Sequence, residues 1–160
     1  MDILSIVKEV AEIRLDRCIG RLALRGHRIE LKTIIELFES RWSVDEIIKE
    51  FPTLERNLIE RIKENFSLLK RLVEGMELVE IDPNKLAGLP VVRGTRMPVV
   101  RVYELLENGM SIHELLMEFP SLRLWDVEKL LEYKDVLYPV LKYVHERLTA
   151  AFHKKLVKLL

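Results

Sequence analysis

The sequence predicts a mainly α-helical protein: two tandem three-helix units, each led by a short β-strand and a basic arm, followed by a long C-terminal helix. Three observations carry that prediction. The chain repeats itself at an offset of 68 residues; apolar residues recur at helical spacing in both copies; and one helix-start signal opens the second helix of each.

Residues 20–68 align with 88–136 without a gap. Arg25-Gly26-x-Arg28 falls on Arg93-Gly94-x-Arg96, and Glu50-Phe51-Pro52-x-Leu54 falls on Glu118-Phe119-Pro120-x-Leu122. Glu36-Leu37-x-Glu39 matches Glu104-Leu105-x-Glu107, and 15 of the 49 positions are identical. Unrelated sequence gives far fewer, so an ancestral segment was duplicated. The repeat divides the chain into 1–68, a diverged first copy, 69–135, a second copy, and 136–160, an amphipathic helix.

The elements follow in order. "DILSIVKEVAEI" places Ile3, Ile6, Val7 and Val10 on one side of a helix. "MELVEIDP" alternates at Met76, Leu78, Val79 and Ile81, which predicts a short strand before the second arm. Each arm turns on a glycine, which accepts positive φ without steric cost. The first helix of the repeat carries Leu31, Ile34, Ile35 and Phe38, or Val99, Val102, Tyr103 and Leu106. Asn108-Gly109 stops it in the second copy, whereas the first copy has Ser40-Arg41. Ser43-x-x-Glu46 and Ser111-x-x-Glu114 both fit a capping box. The second helix buries Val44, Ile47, Ile48 and Phe51, or Ile112, Leu115, Leu116 and Phe119, and Phe-Pro ends it. The third presents Leu58, Ile59 and Ile62, or Val127, Leu130 and Leu131. Helix, tight break, helix at this length is the outline of a helix-turn-helix or homeodomain-like unit. From "YPVLKYVHERLTAAFHKKLVKLL" one long helix is expected, with Pro139 in its first turn.

Composition removes several functions. The chain is 49% hydrophobic and 32% charged, which is globular, and its apolar runs are too short to span a bilayer. The start lacks a basic region and an uninterrupted apolar stretch, which argues against a signal peptide. Cys18 is alone, and His27, His113, His145 and His153 lack metal-ligand spacing. No phosphate loop or nucleophile constellation is present, so the expectation is a non-enzyme without cofactor or metal, in the cytoplasm. Glutamine is absent while Glu, Lys and Arg abound, a bias suited to a thermophile.

The 26 basic and 26 acidic side chains are segregated. Residues 14–32 hold six Lys or Arg against Asp16 and Glu30, and 85–101 hold four against none. The helices behind reverse the sign: 33–64 hold eight acids against five bases, and 102–135 hold eight against three. A helix that reads a DNA groove needs a face free of acids, which "RLWDVEKLLEYK" lacks. Nucleic-acid contact is therefore expected from the arms: Arg25, Arg28, Arg93, Arg96 and Arg101, whose planar guanidinium suits phosphate oxygens or a narrow minor groove. The competing expectation is structural, with the arm arginines paired to helix glutamates such as Glu36 and Glu104.

From Glu80 to Tyr133, Asp82-Pro83, Gly88-Leu89-Pro90, Arg93-Gly94-Thr95-Arg96 and Pro120-Ser121-Leu122 resemble the motifs of the prokaryotic domain of unknown function 433 family. That resemblance implies a homeodomain-like fold and a VapB-like antitoxin, commonly paired with a PIN-like ribonuclease toxin. The first copy lacks Asp-Pro and Gly-x-Pro, carries His27 for Thr95 and Glu30 for Pro98, and joins the family only through its internal match. In both copies Glu55 and Arg123 stand where the family has a threonine, which implies a weaker cap there.

Two functions are consistent with these features. One is a type II antitoxin that neutralises a PIN-like ribonuclease and binds operator DNA. The other is a protein-interaction module without DNA binding, its acidic helical faces docking a basic partner. The apolar stripe of the last helix, including Val144, Leu148, Phe152 and Leu156, either packs on its own domain or a second subunit as a homodimer, or docks in a toxin groove. A membrane partner is not expected, since the stripe lacks tryptophan.

Overall fold

A computed structural model describes residues 2–13 and 20–159, apart from the side chains of residues 155, 156 and 159. Cys18 lies outside the described residues, as do Arg14 and Arg17 of the first basic block. The chain divides into two compact units, Met1–Glu74 and Gly75–Leu160. The fold is mainly helical with two small two-stranded sheets, as the periodicity predicts.

The first unit opens with α1 (Ile3–Val10), capped by Asp2, whose carboxylate accepts the Ser5 N–H at 2.9 Å. Ile3, Ile6, Val7 and Val10 are its buried face. The helix stops there: Ala11–Ile13 form β1, which pairs antiparallel with β2 (Leu22–Leu24) in the register Ala11–Leu24, Glu12–Ala23, Ile13–Leu22. The expectation of helix through Ile13 is thus corrected at its last turn. Three residues of alternation are too few to outweigh the helical pattern before them, and the partner strand decides. Three short helices follow, α2 (Leu31–Glu39), α3 (Val44–Glu50) and α4 (Arg56–Glu64), and then α5 (Phe66–Met76). Their core is Leu31, Ile34, Ile35, Ile47, Ile59, Ile62 and Leu69, each at most 1% exposed.

The second unit repeats this order with β3 (Val79–Glu80), a 3₁₀ turn (Leu86–Gly88), β4 (Val91–Val92), α6 (Val99–Glu107), α7 (Ile112–Glu118), α8 (Leu124–Glu132) and α9 (Lys134–Leu159). Val79–Val92 and Glu80–Val91 are the strand pairs. Each equals a first-unit pair moved by 68 residues, and so do the bridges Ala23–Glu30 and Val91–Pro98. At the centre stands Tyr103, fully buried, its hydroxyl donating to the Leu130 carbonyl. Leu131 was expected in this core and is instead 38% exposed; the buried pair on α8 is Val127 and Leu130.

Helix ends show how far the copies agree. The Gly109 N–H donates to Leu106 O and the Met110 N–H to Leu105 O, the Schellman pattern that favours glycine at the left-handed position. The first copy forms the same pair, Arg41 to Phe38 and Trp42 to Leu37, with Arg41 held at φ 67°. Ser43 and Ser111 both cap their helices, accepting the Glu46 and Glu114 N–H at 3.1 Å. Only Glu114 returns the bond, to the Ser111 N–H; Glu46 instead accepts the Ser43 hydroxyl. Arg123 makes no side-chain cap for the third helix of the second unit, but Asp126 reaches back to it. Asp126 accepts the Arg123 N–H at 3.1 Å and holds its guanidinium through two hydrogen bonds of 3.0 Å. Glu55 makes no such cap for α4.

α9 begins at Lys134, so Pro139 lies in its second turn rather than its first. There proline supplies no N–H to the helical ladder. Val136, Leu137, Val140 and Leu141 anchor this end in the second unit. Burial then fades along the helix to Phe152 and Val157, both 55% exposed. Among the described residues no helix is long and apolar enough to cross a membrane.

Candidate functional site

Each arm is a tight hairpin loop. Leu24 accepts the His27 N–H at 2.9 Å and donates to Ile29 O at 2.8 Å; Val92 makes the same two bonds with Thr95 and Met97. Gly26 and Gly94 both sit at φ 80°, third in the four-residue turn, the signature of a type II turn. A Cβ on either would meet nothing within 4 Å, so backbone conformation alone requires the glycine.

The arginine ahead of each glycine turns back onto the preceding strand. Arg25 donates from Nη2 to Ala11 O at 3.0 Å, with Nη1 3.9 Å from Glu12. Arg93 donates from Nε to Glu77 O and from Nη2 to Val79 O, both at 2.8 Å. One guanidinium thus joins the Glu77 carbonyl, two residues ahead of β3, to the Val79 carbonyl within it. Glu12 and Glu80 accept the N–H of the turn glycines at 3.2 and 3.0 Å. The Glu80 carboxyl is held below its ordinary range, first by the Gly94 N–H and then by the Lys85 ammonium at 3.0 Å. Arg25 and Arg93 therefore have structural partners, but these are strand carbonyls and Glu12 or Glu80, not the expected Glu36 and Glu104. Glu36 pairs with Lys32 instead.

Position 95 separates the copies. The Thr95 hydroxyl, buried, donates to Val92 O at 2.7 Å and accepts the Met97 N–H at 3.0 Å, closing the loop. His27 takes its place in the first copy, and its Nε2 lies 3.5 Å from Glu55.

The other arm arginines face outward. Arg28 is exposed and has a partner of its own. Arg96 and Arg101 are exposed, and neither side chain has a hydrogen bond or ion pair among the described residues. Arg96 leaves the end of the turn and Arg101 stands in the first turn of α6, within a stretch that carries no acid from 85 to 101.

Of the C-terminal residues expected to bind a partner, Val144 and Leu148 are half-buried, Phe152 is exposed and Leu156 lies outside the described side chains. Leu148, Thr149 and Phe152 face Leu86, Ala87 and Leu89 across an apolar groove of about 390 Å³. The 3₁₀ turn on its far wall runs left-handed through Leu86, Ala87 and Gly88, at φ 50°, 55° and 86°.

Glu12 and Glu80 escape a reading that begins the repeat at residue 20. Carried upstream, the same offset sets Glu9-Val10-Ala11-Glu12-Ile13 on Glu77-Leu78-Val79-Glu80-Ile81, three identities in five. The unit of duplication thus includes the strand that the arginine clasps. Comparison with known proteins agrees: the profile described as "Protein of unknown function (DUF433)" matches residues 12–64 and again 79–133. The chain belongs to the DUF433 family. Both copies are DUF433 domains, the diverged first one included. The uncharacterized protein y4eO of Sinorhizobium fredii (strain NBRC 101917 / NGR234) is 42% identical over 62 residues, 39% of this chain and 27% of that protein. The chain thus spans about a quarter of that relative's length. A DUF433 member protein from Anabaena variabilis ATCC 29413, known from its crystal structure, aligns over 64% of this chain and 95% of its own, at 19% identity and a TM-score of 0.38.

Proposed function

We propose that this chain is the antitoxin of a type II toxin–antitoxin pair, neutralising a PIN-like ribonuclease and binding operator DNA through the arm of its second unit. The observation that carries the DNA half of this reading is the state of Arg96 and Arg101. Both are exposed cations without a side-chain partner among the described residues, Arg96 at the end of the arm turn and Arg101 in the first turn of α6, in an acid-free stretch. Exposed arginines of this kind suit phosphate oxygens. Arg25 and Arg93 are clasps first, and their free donors add to the positive face. The toxin half follows from the family resemblance and from the acid-rich helices behind each arm, which complement a nuclease's basic cleft. We place the protein in the cytoplasm of a thermophile and give it no catalytic role of its own.

One feature favours the second reading, a protein-interaction module without DNA binding. α8 stands where a recognition helix would, yet its outer face carries Glu128 and Glu132 beside exposed Leu124 and Trp125. The two readings separate in one experiment. The purified chain is mixed with DNA from upstream of its own gene and, separately, with a PIN-like nuclease encoded beside it. The antitoxin reading expects retarded DNA and loss of nuclease activity. Loss of nuclease activity without retardation supports the second reading, and neither effect overturns both.

A further inference from the structure

The two units carry equivalent helix pairs, α3–α4 and α7–α8, whose solvent faces differ in kind. Four positions on the outer face of α7–α8 are large, apolar and exposed: Met117 at 72%, Leu124 at 51%, Trp125 at 53% and Leu131 at 38%. The residues 68 positions earlier are Lys49, Arg56, Asn57 and Lys63, all exposed on the same elements of the same fold. The fold therefore does not require apolar residues at these sites, and the first unit serves as an internal control. Large apolar side chains exposed on one copy alone, where the other copy carries polar ones, point to an interface. Between the apolar residues stand Glu118 and Glu128, exposed and without ion pair or hydrogen bond among the described residues.

The complementary surface lies on this same chain. Beyond Glu146 the sequence carries only positive charge. In that segment of α9, Phe152 and Val157 are 55% exposed, and Lys154 and Lys158 are exposed without partners among the described residues. We infer that the α7–α8 face of one copy receives the distal end of α9 from a second copy, reciprocally. Exposed apolar residues meet exposed apolar residues, and unpaired lysines meet unpaired glutamates. Reciprocal exchange forms the same junction twice and closes the assembly as a two-fold dimer. The inference needs neither DNA nor a toxin and stands apart from the reading above.

The test is sedimentation equilibrium of the full chain from micromolar to submillimolar concentration, with Trp125 emission recorded in a Trp42→Phe background. The expected result is a reversible dimer whose formation shifts Trp125 emission to the blue. Leu124→Arg with Trp125→Asn installs the residues that the first unit already tolerates, so folding is preserved and is checked by an unchanged circular dichroism spectrum. This variant should weaken the dimer by roughly thirty-fold or more, the loss typical of a buried interface tryptophan. Glu118→Lys with Glu128→Lys should weaken it too, and adding Lys154→Glu with Lys158→Glu should restore it. A monomer at every concentration overturns the inference, as does a dimer indifferent to Leu124→Arg with Trp125→Asn. Failure of the charge exchange to rescue removes the distal helix as the occupant.

Discussion

Two arginines of one motif stand in different surroundings, and only their partners distinguish them. Arg93 fastens the turn to Glu77 O ahead of β3 and to Val79 O within it, while Arg96 faces solvent. Arg93→Ala should therefore lower stability by about 1 kcal/mol, the net worth of such bonds at an exposed site, in a urea titration of the full chain. Arg96→Ala should change it by less than about 0.5 kcal/mol. The spacing Arg-Gly-x-Arg shows both residues in the sequence but hides this division, because the carbonyls that Arg93 meets lie 14 and 16 residues upstream. Arg41 offers a second test at this scale. An L-residue in left-handed geometry costs about 1–2 kcal/mol, and Gly109 serves at the equivalent place. Arg41→Gly should raise the melting temperature of the chain; a fall would show that the Arg41 side chain contributes more than its backbone costs.

At the scale of elements, capping makes α8 sensitive to acid. Asp126, 8% exposed in its side chain, has its carboxyl drawn below the ordinary range, chiefly by the Arg123 guanidinium. Folding lowers this pKa, so the contribution is complete above the unfolded carboxylate value of about 4 and fades as pH falls through the lower folded value. Asp126→Asn should cost about 1 kcal/mol at neutral pH, the scale of a lost cap. It should also flatten the acid limb of a stability–pH curve; an unchanged limb would place the acid sensitivity elsewhere. Much at this scale is legible in the sequence: both serine caps, the Phe-Pro stops, the turn glycines and the strand at Val79. What escapes it are decisions made by tertiary partners. Ala11–Ile13 form a strand because β2 is there to pair with it, and α9 starts at Lys134 despite Pro139, because Val136 and Leu137 are drawn into the core. Leu131 fits a helical stripe as well as Leu130 does, and only the packing of α8 turns it outward.

For the molecule as a whole, duplication supplied two copies of one scaffold and left their surfaces to diverge. The shared parts are internal: strand register, glycine turns, the clasp, the Schellman caps. The differences are buried Thr95 against His27 in the arm and, on the surface, an apolar against a basic face on the helix pair. The repeat made the architecture readable from sequence, whereas which side chains are exposed is decided by packing. The most direct test of the functional account is the salt dependence of DNA binding for the full chain, its Arg96→Ala, Arg101→Ala variant and its Arg93→Ala variant. Removing one arginine that neutralises a phosphate lowers the slope of log affinity against log salt by about 0.9. The account predicts a slope reduced by nearly two in the double variant, and by less in Arg93→Ala. An equal slope in the double variant and the parent, or no salt-dependent binding at all, would contradict it.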